Sequence, residues 1–246
     1  MRRTVLLSLI VALLAGCGGV PATTSPAPYY TSPTPKPEQP AALFIGDSYT
    51  AGRGAANPAQ AESCLTATAM GWLCNLDAQG GTGFVANGHD NQPTFQAIGG
   101  RLAEAHHKYL ADIILIDAGR TDGRTPRMQL QEAVVAYLTA LRGQWPAAKL
   151  VIVAPYFMAS TRPLLGPKFT AFLKAQAQAF RGQIIDPIGE GWVKAPITAA
   201  MTISDKFHPS PDGHRYLAEH LTADLKALGV TNVPITDMRG ARAGLR

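Results

Sequence analysis

Ala42-Leu43-Phe44-Ile45-Gly46-Asp47-Ser48-Tyr49-Thr50-Ala51-Gly52 begins as a short apolar run and breaks at a glycine into a polar turn. Four consecutive apolar residues closed by glycine read as a strand buried on both faces. Asp112-Ile113-Ile114-Leu115-Ile116-Asp117 and Lys149-Leu150-Val151-Ile152-Val153 repeat the type, Gln183-Ile184-Ile185-Asp186 is a shorter example, and Trp72 to Leu76 is a weaker one. Helical windows lie between them, over Thr94 to Tyr109, Arg127 to Gln144, Pro167 to Phe180 and Pro211 to Leu228. The last is the clearest: Pro211 suits a first turn, and Tyr216, Leu217, His220, Leu221, Leu225 and Leu228 recur at helical spacing. Strands alternating with helices of this size predict an α/β fold, a parallel sheet with helices on both faces. Sites on such sheets sit in the loops at the carboxyl ends of the strands. Chemistry is therefore expected after Ile45, Leu76, Ile116 and Val153, and in the segment before the last helix.

Of 246 residues, 46% are apolar and 16% charged, which excludes a wholly disordered chain. The formal charge of +5 is concentrated at the ends: Arg2 and Arg3 carry +2, Asp237, Arg239, Arg242 and Arg246 another +2, and residues 4–236 only +1. A nearly neutral body gives no basic footprint, so no nucleic-acid partner is expected.

Arg2 and Arg3 precede an apolar run from Val5 to Ala15 that is too short to cross a bilayer comfortably and fits the core of an export signal. The run closes with Leu14-Ala15-Gly16-Cys17, where small residues before a cysteine resemble a bacterial lipobox. On that reading residues 1–16 are a signal peptide and Cys17 is the lipidated first residue, a membrane partner through its lipid. The alternative is an ordinary secretory signal with an incidental cysteine. Residues 18–40 hold seven of the 19 prolines and cannot build a core. The expected organisation is thus a Pro-rich tether over 17–40, a single domain over 41–232 and a flexible tail over 233–246. Export to an oxidising compartment predicts a disulfide between the two remaining cysteines, Cys64 and Cys74.

A serine just past a strand, after a glycine that permits a sharp turn and before an expected helix start, is held where its hydroxyl faces a cleft. Ser48 is in that position. Just before the last helix stands Ser204-Asp205-Lys206-Phe207-His208-Pro209-Ser210-Pro211-Asp212-Gly213-His214. A carboxylate three residues before a histidine is able to curl back onto one imidazole nitrogen and leave the other to take a serine proton. Taken together, the two segments resemble the SGNH hydrolases, also called GDSL-type esterases and lipases, over about Ala41 to Leu228. The resemblance implies a three-layer α/β/α sandwich with a mostly parallel sheet of about five strands, and an ester substrate. It implies Ser48 as nucleophile, His208 as general base and then acid, and Asp205 as its orienter.

The same resemblance calls for an oxyanion hole made from the Ser48 N–H, a glycine N–H after the second strand and an asparagine in a Gly-x-Asn-Asp block after the third. Gln79-Gly80-Gly81-Thr82-Gly83-Phe84 supplies the glycine, Gly81 first and Gly83 as fallback. The third block departs from the pattern: in Gly119-Arg120-Thr121-Asp122, Thr121 stands where the family has asparagine. Arg120 is a charge able to compensate there, although an arginine in a loop is more often solvated. Pro155-Tyr156-Phe157-Met158 and the loop to Pro167 are placed to line an acyl pocket or to be ordinary core. There is no Gly-x-Ser-x-Gly elbow, His-Glu-x-x-His or Cys-x-x-Cys, and the glycine-rich segments lack the Gly-Lys-Ser/Thr of a phosphate loop. No metal or cofactor is expected. The leading expectation is an exported, lipid-anchored serine esterase acting on acylated envelope lipid or saccharide. The alternatives are an acyltransferase with the same triad and a non-catalytic envelope-binding lipoprotein on a decayed hydrolase fold.

Overall fold

The computed structural model describes residues 39–88, 93–161, 164–194 and 197–237; the expected export signal, Cys17 and nearly all of the expected tether lie outside them. Five strands form one sheet: β1 (Ala41–Gly46), β2 (Leu73–Ala78), β3 (Ile113–Asp117), β4 (Lys149–Val153) and β5 (Gln183–Ile185). Their order is β2-β1-β3-β4-β5 and every pairing is parallel. The helices are α1 (Glu62–Met70), α2 (Leu102–Lys108), α3 (Arg127–Gln144), α4 (Pro167–Ala179), the short α5 (Ile197–Ala200) and α6 (Pro211–Ala227).

Period-2 alternation of the strands sorts the core into two layers. Leu43, Ile45, Ile114, Ile116, Leu150 and Ile152 pack on one face against α2, α3 and α4, through residues such as Leu102, Leu130, Leu138, Leu141 and Leu173. Ala42, Phe44, Ile113, Leu115, Val151 and Val153 pack on the other against Ala67 of α1 and Leu217, Leu221 and Leu225 of α6. Each fully buried Leu or Ile contributes roughly 1.5–3 kcal/mol, so the continuous apolar strands are what hold the three layers together. Local signals set the helix ends. Pro211 occupies the first turn of α6 and the Ser210 hydroxyl accepts from Gly213 N–H at 3.2 Å; Gly71, in the left-handed region at φ 71, closes α1.

The chain leaves β1 for β2 on one side and then crosses to β3 on the other, so the topological switch lies between β1 and β3. The register brings Gly46 beside Asp117 and Ile45 beside Asp77, which lines up acidic residues along the carboxyl edge at that switch.

Four local readings need correction. The window from Thr94 shrinks to α2 because its backbone donors are used elsewhere: Gln96 N–H goes to Gln79 Oε1, Ala97 N–H to Asn87 Oδ1 and Ile98 N–H to the Gly83 carbonyl. No helix follows Ser48; residues 47–54 form consecutive turns, and Gly52 and Gly54 at φ 81 and 93 end them. Helix α1 was not expected, because a Ser/Thr/Ala/Cys-rich stretch shows no apolar stripe against a charged one. The tail is not free throughout: Val233 is buried, Asp237 N–H donates to Asp112 Oδ1 at 2.8 Å, and Asp237 Oδ2 accepts from Ala111 N–H at 2.9 Å. Asp112 anchors both chain ends of the body, since its other oxygen accepts from Ala41 N–H.

Cys64 of α1 and Cys74 of β2 are disulfide-bonded, ten residues apart in sequence. The bridge fastens the edge strand β2, whose residues are all half-buried, to the helix before it. Closing such a loop constrains the unfolded chain by about 2–4 kcal/mol. A Cys64→Ser/Cys74→Ser variant is expected to lose about that much stability in urea unfolding. The loops at the carboxyl ends of the strands should be unaffected, because Cys74 lies near the amino end of β2.

Candidate active site

Ser48 lies two residues beyond β1 and is 7% exposed. The turn into it requires glycine at position 46, where a Cβ would come within 2.1 Å of Thr50 Oγ1 and 2.6 Å of the Asp117 carbonyl. Ser48 Oγ stands 2.9 Å from His208 Nε2, although 160 positions separate them in the chain. His208 Nδ1 lies 2.7 Å from Asp205 Oδ2, and Asp205 Oδ1 accepts from both Phe207 N–H and His208 N–H at 2.9 Å. Partial burial pushes the Asp205 carboxyl up, but its bonds to the His208 ring and to the two N–H groups outweigh this and hold it down to about 2. An ionised Asp205 keeps the proton on Nδ1, which donates to it, so Nε2 accepts the hydroxyl proton of Ser48. The structure therefore brings the three sequence-expected residues into one chain of hydrogen bonds.

Beneath Ser48 lies an ion cluster that the sequence did not disclose. Arg120 is 3% exposed rather than solvated. Its Nη1 donates to both oxygens of Asp47 at 2.8 and 2.7 Å, its Nη2 to both oxygens of Asp117 at 2.7 and 3.0 Å, and its Nε to the Tyr156 carbonyl at 2.9 Å. The guanidinium also covers the Tyr49 ring, 4.1 Å from its centroid. Each nitrogen of the guanidinium is thus bonded inside the protein, and its charge is already met by the two carboxylates. Burial pushes the Asp117 carboxyl up to about 7, with Asp47 adding to the rise and Arg120 opposing it. A second buried pair joins His214 of α6 to Glu62 of α1, while His214 Nε2 bonds the Arg53 carbonyl at 3.1 Å. Burial pulls His214 down, but the bonds to Glu62 and Arg53 leave it raised.

Two side chains shape the loop after β2. Arg101, 5% exposed, donates to Asp77, Thr82 Oγ1 and the carbonyls of Gln96, Gly46 and Asp77. Asp122, fully buried, accepts from Phe84 N–H at 2.7 Å, Val85 N–H at 3.1 Å and Ala86 N–H at 2.9 Å. A Cβ at Gly83 would fall 2.2 Å from Asp122 Oδ2, and the Gly83 N–H is engaged with the Ala86 carbonyl at 2.9 Å. Gly80 lies alongside the nucleophile, a Cβ there meeting Ser48 Cβ at 3.6 Å, and Gly81 follows with φ 77. Thr121 Oγ1 is buried and has no hydrogen-bond partner among the described residues. Arg101 carries no motif signal, because its partners lie 5 to 55 positions away; Asp122 is the acid of the Gly-Arg-Thr-Asp block, but the three backbone groups it holds lie 36 to 38 positions away.

Of the segment expected at an acyl pocket, Pro155, Tyr156 and Met158 are core residues. Phe157 is half-buried, its ring 4.4 Å from that of Phe207, which is 37% exposed and 4.8 Å from the His208 ring. The rim beside the histidine is therefore aromatic.

Replacing Arg120 by Met leaves Asp47 and Asp117 as buried carboxylates without their cation. The expected loss is about 3–5 kcal/mol at pH 8. Burial holds Asp117 above its unfolded-state range, so it binds its proton more tightly when folded, and this loss should shrink as the pH falls toward 5. Urea midpoints of parent and variant at the two pH values check it; a difference independent of pH would contradict the pairing of a buried Asp117 with Arg120.

Residues 44–216 match the GDSL-like Lipase/Acylhydrolase family. The GDSL lipase Rv0518 of Mycobacterium tuberculosis is 27% identical over 228 residues, 87% of this chain and 91% of that protein. Among solved structures, a family two carbohydrate esterase from Clostridium thermocellum in complex with cellohexaose superposes with a TM-score of 0.64 at 19% identity over 80% of this chain. A salicylyl-acyltransferase from a tetracycline biosynthetic pathway, SsfX3, does so with 0.58 at 20% over the same share. This chain spans 67% of the esterase, 66% of that enzyme's active-site mutant and 57% of the acyltransferase, so those likenesses show the fold. The parallel five-stranded sheet, the serine after its first strand and the family match over most of the body lead to one conclusion: this chain belongs to the GDSL-like lipase/acylhydrolase family and is a serine esterase of the SGNH type.

Proposed function

We propose that this chain is an exported ester hydrolase that works through an acyl-enzyme on Ser48, with an O-acylated saccharide or lipid of the cell envelope as substrate. The observation that carries the reading is the continuous set of bonds from Ser48 Oγ to His208 Nε2 and from His208 Nδ1 to Asp205. Ser48 Oγ attacks the ester carbonyl carbon while its proton passes to His208 Nε2, and the ionised Asp205 stabilises the imidazolium that forms. The tetrahedral intermediate collapses, the C–O bond to the alcohol breaks, and the alkoxide leaves with the proton from Nε2. Water, deprotonated by the same nitrogen, then attacks the acyl-serine; the bond from the acyl carbon to Ser48 Oγ breaks, Nε2 returns its proton to Oγ, and the acid is released.

The developing oxyanion falls to the Ser48 N–H, the Gly81 N–H and the Thr121 hydroxyl, whose lack of a partner supports this use. A buried hydroxyl with no internal partner is left able to donate to a ligand. Likeness to carbohydrate esterases, one of them holding cellohexaose, supports an acylated saccharide. Cys17 and the tether support attachment to the outer face of the cell membrane, where envelope material is met. The likeness to a salicylyl-acyltransferase supports a second reading, in which a sugar hydroxyl replaces water in the last step.

A fluorophosphonate probe is expected to label the native protein on Ser48, and Ser48→Ala to abolish the labelling; an unlabelled native protein would favour the non-catalytic envelope-binding reading. Product analysis with and without a saccharide acceptor separates hydrolysis from transfer. Thr121→Val should lower kcat by about 10²-fold, the cost of one lost oxyanion donor. It should leave the melting temperature unchanged or raised, because the hydroxyl it removes satisfies no internal partner. Unchanged turnover would dismiss Thr121 as a donor.

A further inference from the structure

The Ser48–His208 bond joins two segments that are anchored very differently. Ser48 follows directly from a central strand, over the Arg120 cluster. On the other side, Ser204, Asp205, Lys206 and Phe207 are all exposed, and Lys206 adopts a left-handed φ of 60 without being glycine. The segment's own bonds, Lys206 N–H to the Ile203 carbonyl and Asp205 to the next two N–H groups, shape it locally and attach it to nothing else. The ties made by His214 come after the histidine, within α6.

One bond reaches the segment just before the histidine. Tyr49 Oη donates to the Phe207 carbonyl at 2.5 Å, across 158 positions. Among the described residues, this bond and the Ser48–His208 bond are the two hydrogen bonds that hold residues 203–208 from elsewhere in the chain. They run side by side: Tyr49 follows the serine and Phe207 precedes the histidine. The tyrosine is itself immobilised. Its side chain is fully buried, its ring lies under the Arg120 guanidinium and edge-on to Tyr156, and its N–H donates to Asp47 Oδ1 at 2.9 Å. Burial pushes the phenol up to about 12, against the pull of Arg120, so it remains a donor over any ordinary working pH.

We propose that Tyr49 is a positioning residue: its hydroxyl, set in place by the Asp47–Arg120–Asp117 cluster, grips the Phe207 carbonyl and so fixes where the His208 imidazole stands relative to Ser48. The inference rests on the reading of Ser48 and His208 as nucleophile and base. The Tyr49 hydroxyl acts through the backbone that carries His208, and the Tyr49 ring, 6.0 Å from the imidazole between centroids, is kept by a change to Phe. A misplacement of about 1 Å at a reacting pair costs as much as 10²-fold in rate, so one hydrogen bond at this place has leverage beyond its own stability.

The test is a two-by-two cycle of Tyr49→Phe and His208→Ala on purified protein, read as kcat and KM for p-nitrophenyl acetate. In the parent background, Tyr49→Phe is expected to lower kcat by about tenfold or more with KM within about twofold. In the His208→Ala background it should change the residual turnover by less than about twofold, because the group it positions is gone. An equal factor in both backgrounds, or a parent-background kcat within about twofold, overturns the proposal while leaving the nucleophile and base reading intact. If His208→Ala by itself leaves kcat unchanged, that reading fails and takes this one with it. Tyr49→Met, whose flexible side chain fills the space without a hydroxyl, is carried through the same cycle if Tyr49→Phe does not fold.

Discussion

A guanidinium held between two carboxylates is the constraint on which this site is built. Arg120 has almost no access to water, so its charge has to be met inside the protein, and Asp47 and Asp117 meet it with both oxygens each. The planar fork of arginine permits this double arrangement, whereas a lysine would supply a point charge without direction. Because Asp47 follows β1, Asp117 ends β3 and the Tyr156 carbonyl follows β4, one side chain gathers the carboxyl ends of three neighbouring strands. One cation against two anions leaves an excess of negative charge, and it is Asp117 that burial pushes up. Ser48 sits on top of this arrangement and inherits its rigidity.

Around that centre the site divides into a firmly held part and a lightly held part. Arg101 and Asp122 use charge-assisted bonds to backbone groups to set the loop after β2, and Asp122 leaves no room for a side chain at Gly83. The histidine segment is exposed and short of external bonds, yet it carries the base. Thr121 adds a polar atom left unsatisfied in the interior. Buried side-chain atoms without a partner also occur away from the site among the described residues, at Thr66, Tyr137 and Thr222, so the site is set apart by its ion cluster and not by missing bonds.

Legibility followed range. Each central strand is a run of Ile, Leu and Val buried on both faces, so composition alone exposes it, and α3 occupies Arg127–Gln144 as its periodicity predicts. Where local pattern and tertiary demand conflict, the reading failed. Residues 96–98 have a helical look, but their N–H groups serve the loop after β2. Helix α1 lacks an apolar stripe and is held by a disulfide, by the Ser63 hydroxyl on the Thr50 carbonyl and by the Glu62–His214 pair. Arg120 has the residue type and loop position of a solvated cation; Asp117 stands three residues before it, but nothing local says that Asp47, 73 positions earlier, will close on its other side.

By itself, then, the sequence determined the α/β class, the strand and helix alternation and the two motifs that mark the ends of the body, because these depend on short-range periodicity and on backbone preferences of glycine and proline. It also placed Asp205 within reach of His208, a matter of three residues. Only the tertiary structure decided that Ser48 meets His208 across 160 positions, that Asp47 meets Arg120 across 73, and that Tyr49 meets Phe207 across 158. The physical reason is that a polar side chain needs a partner once it is buried, and which partner it receives depends on how the strands are ordered in the sheet, a property that no local window of residues contains.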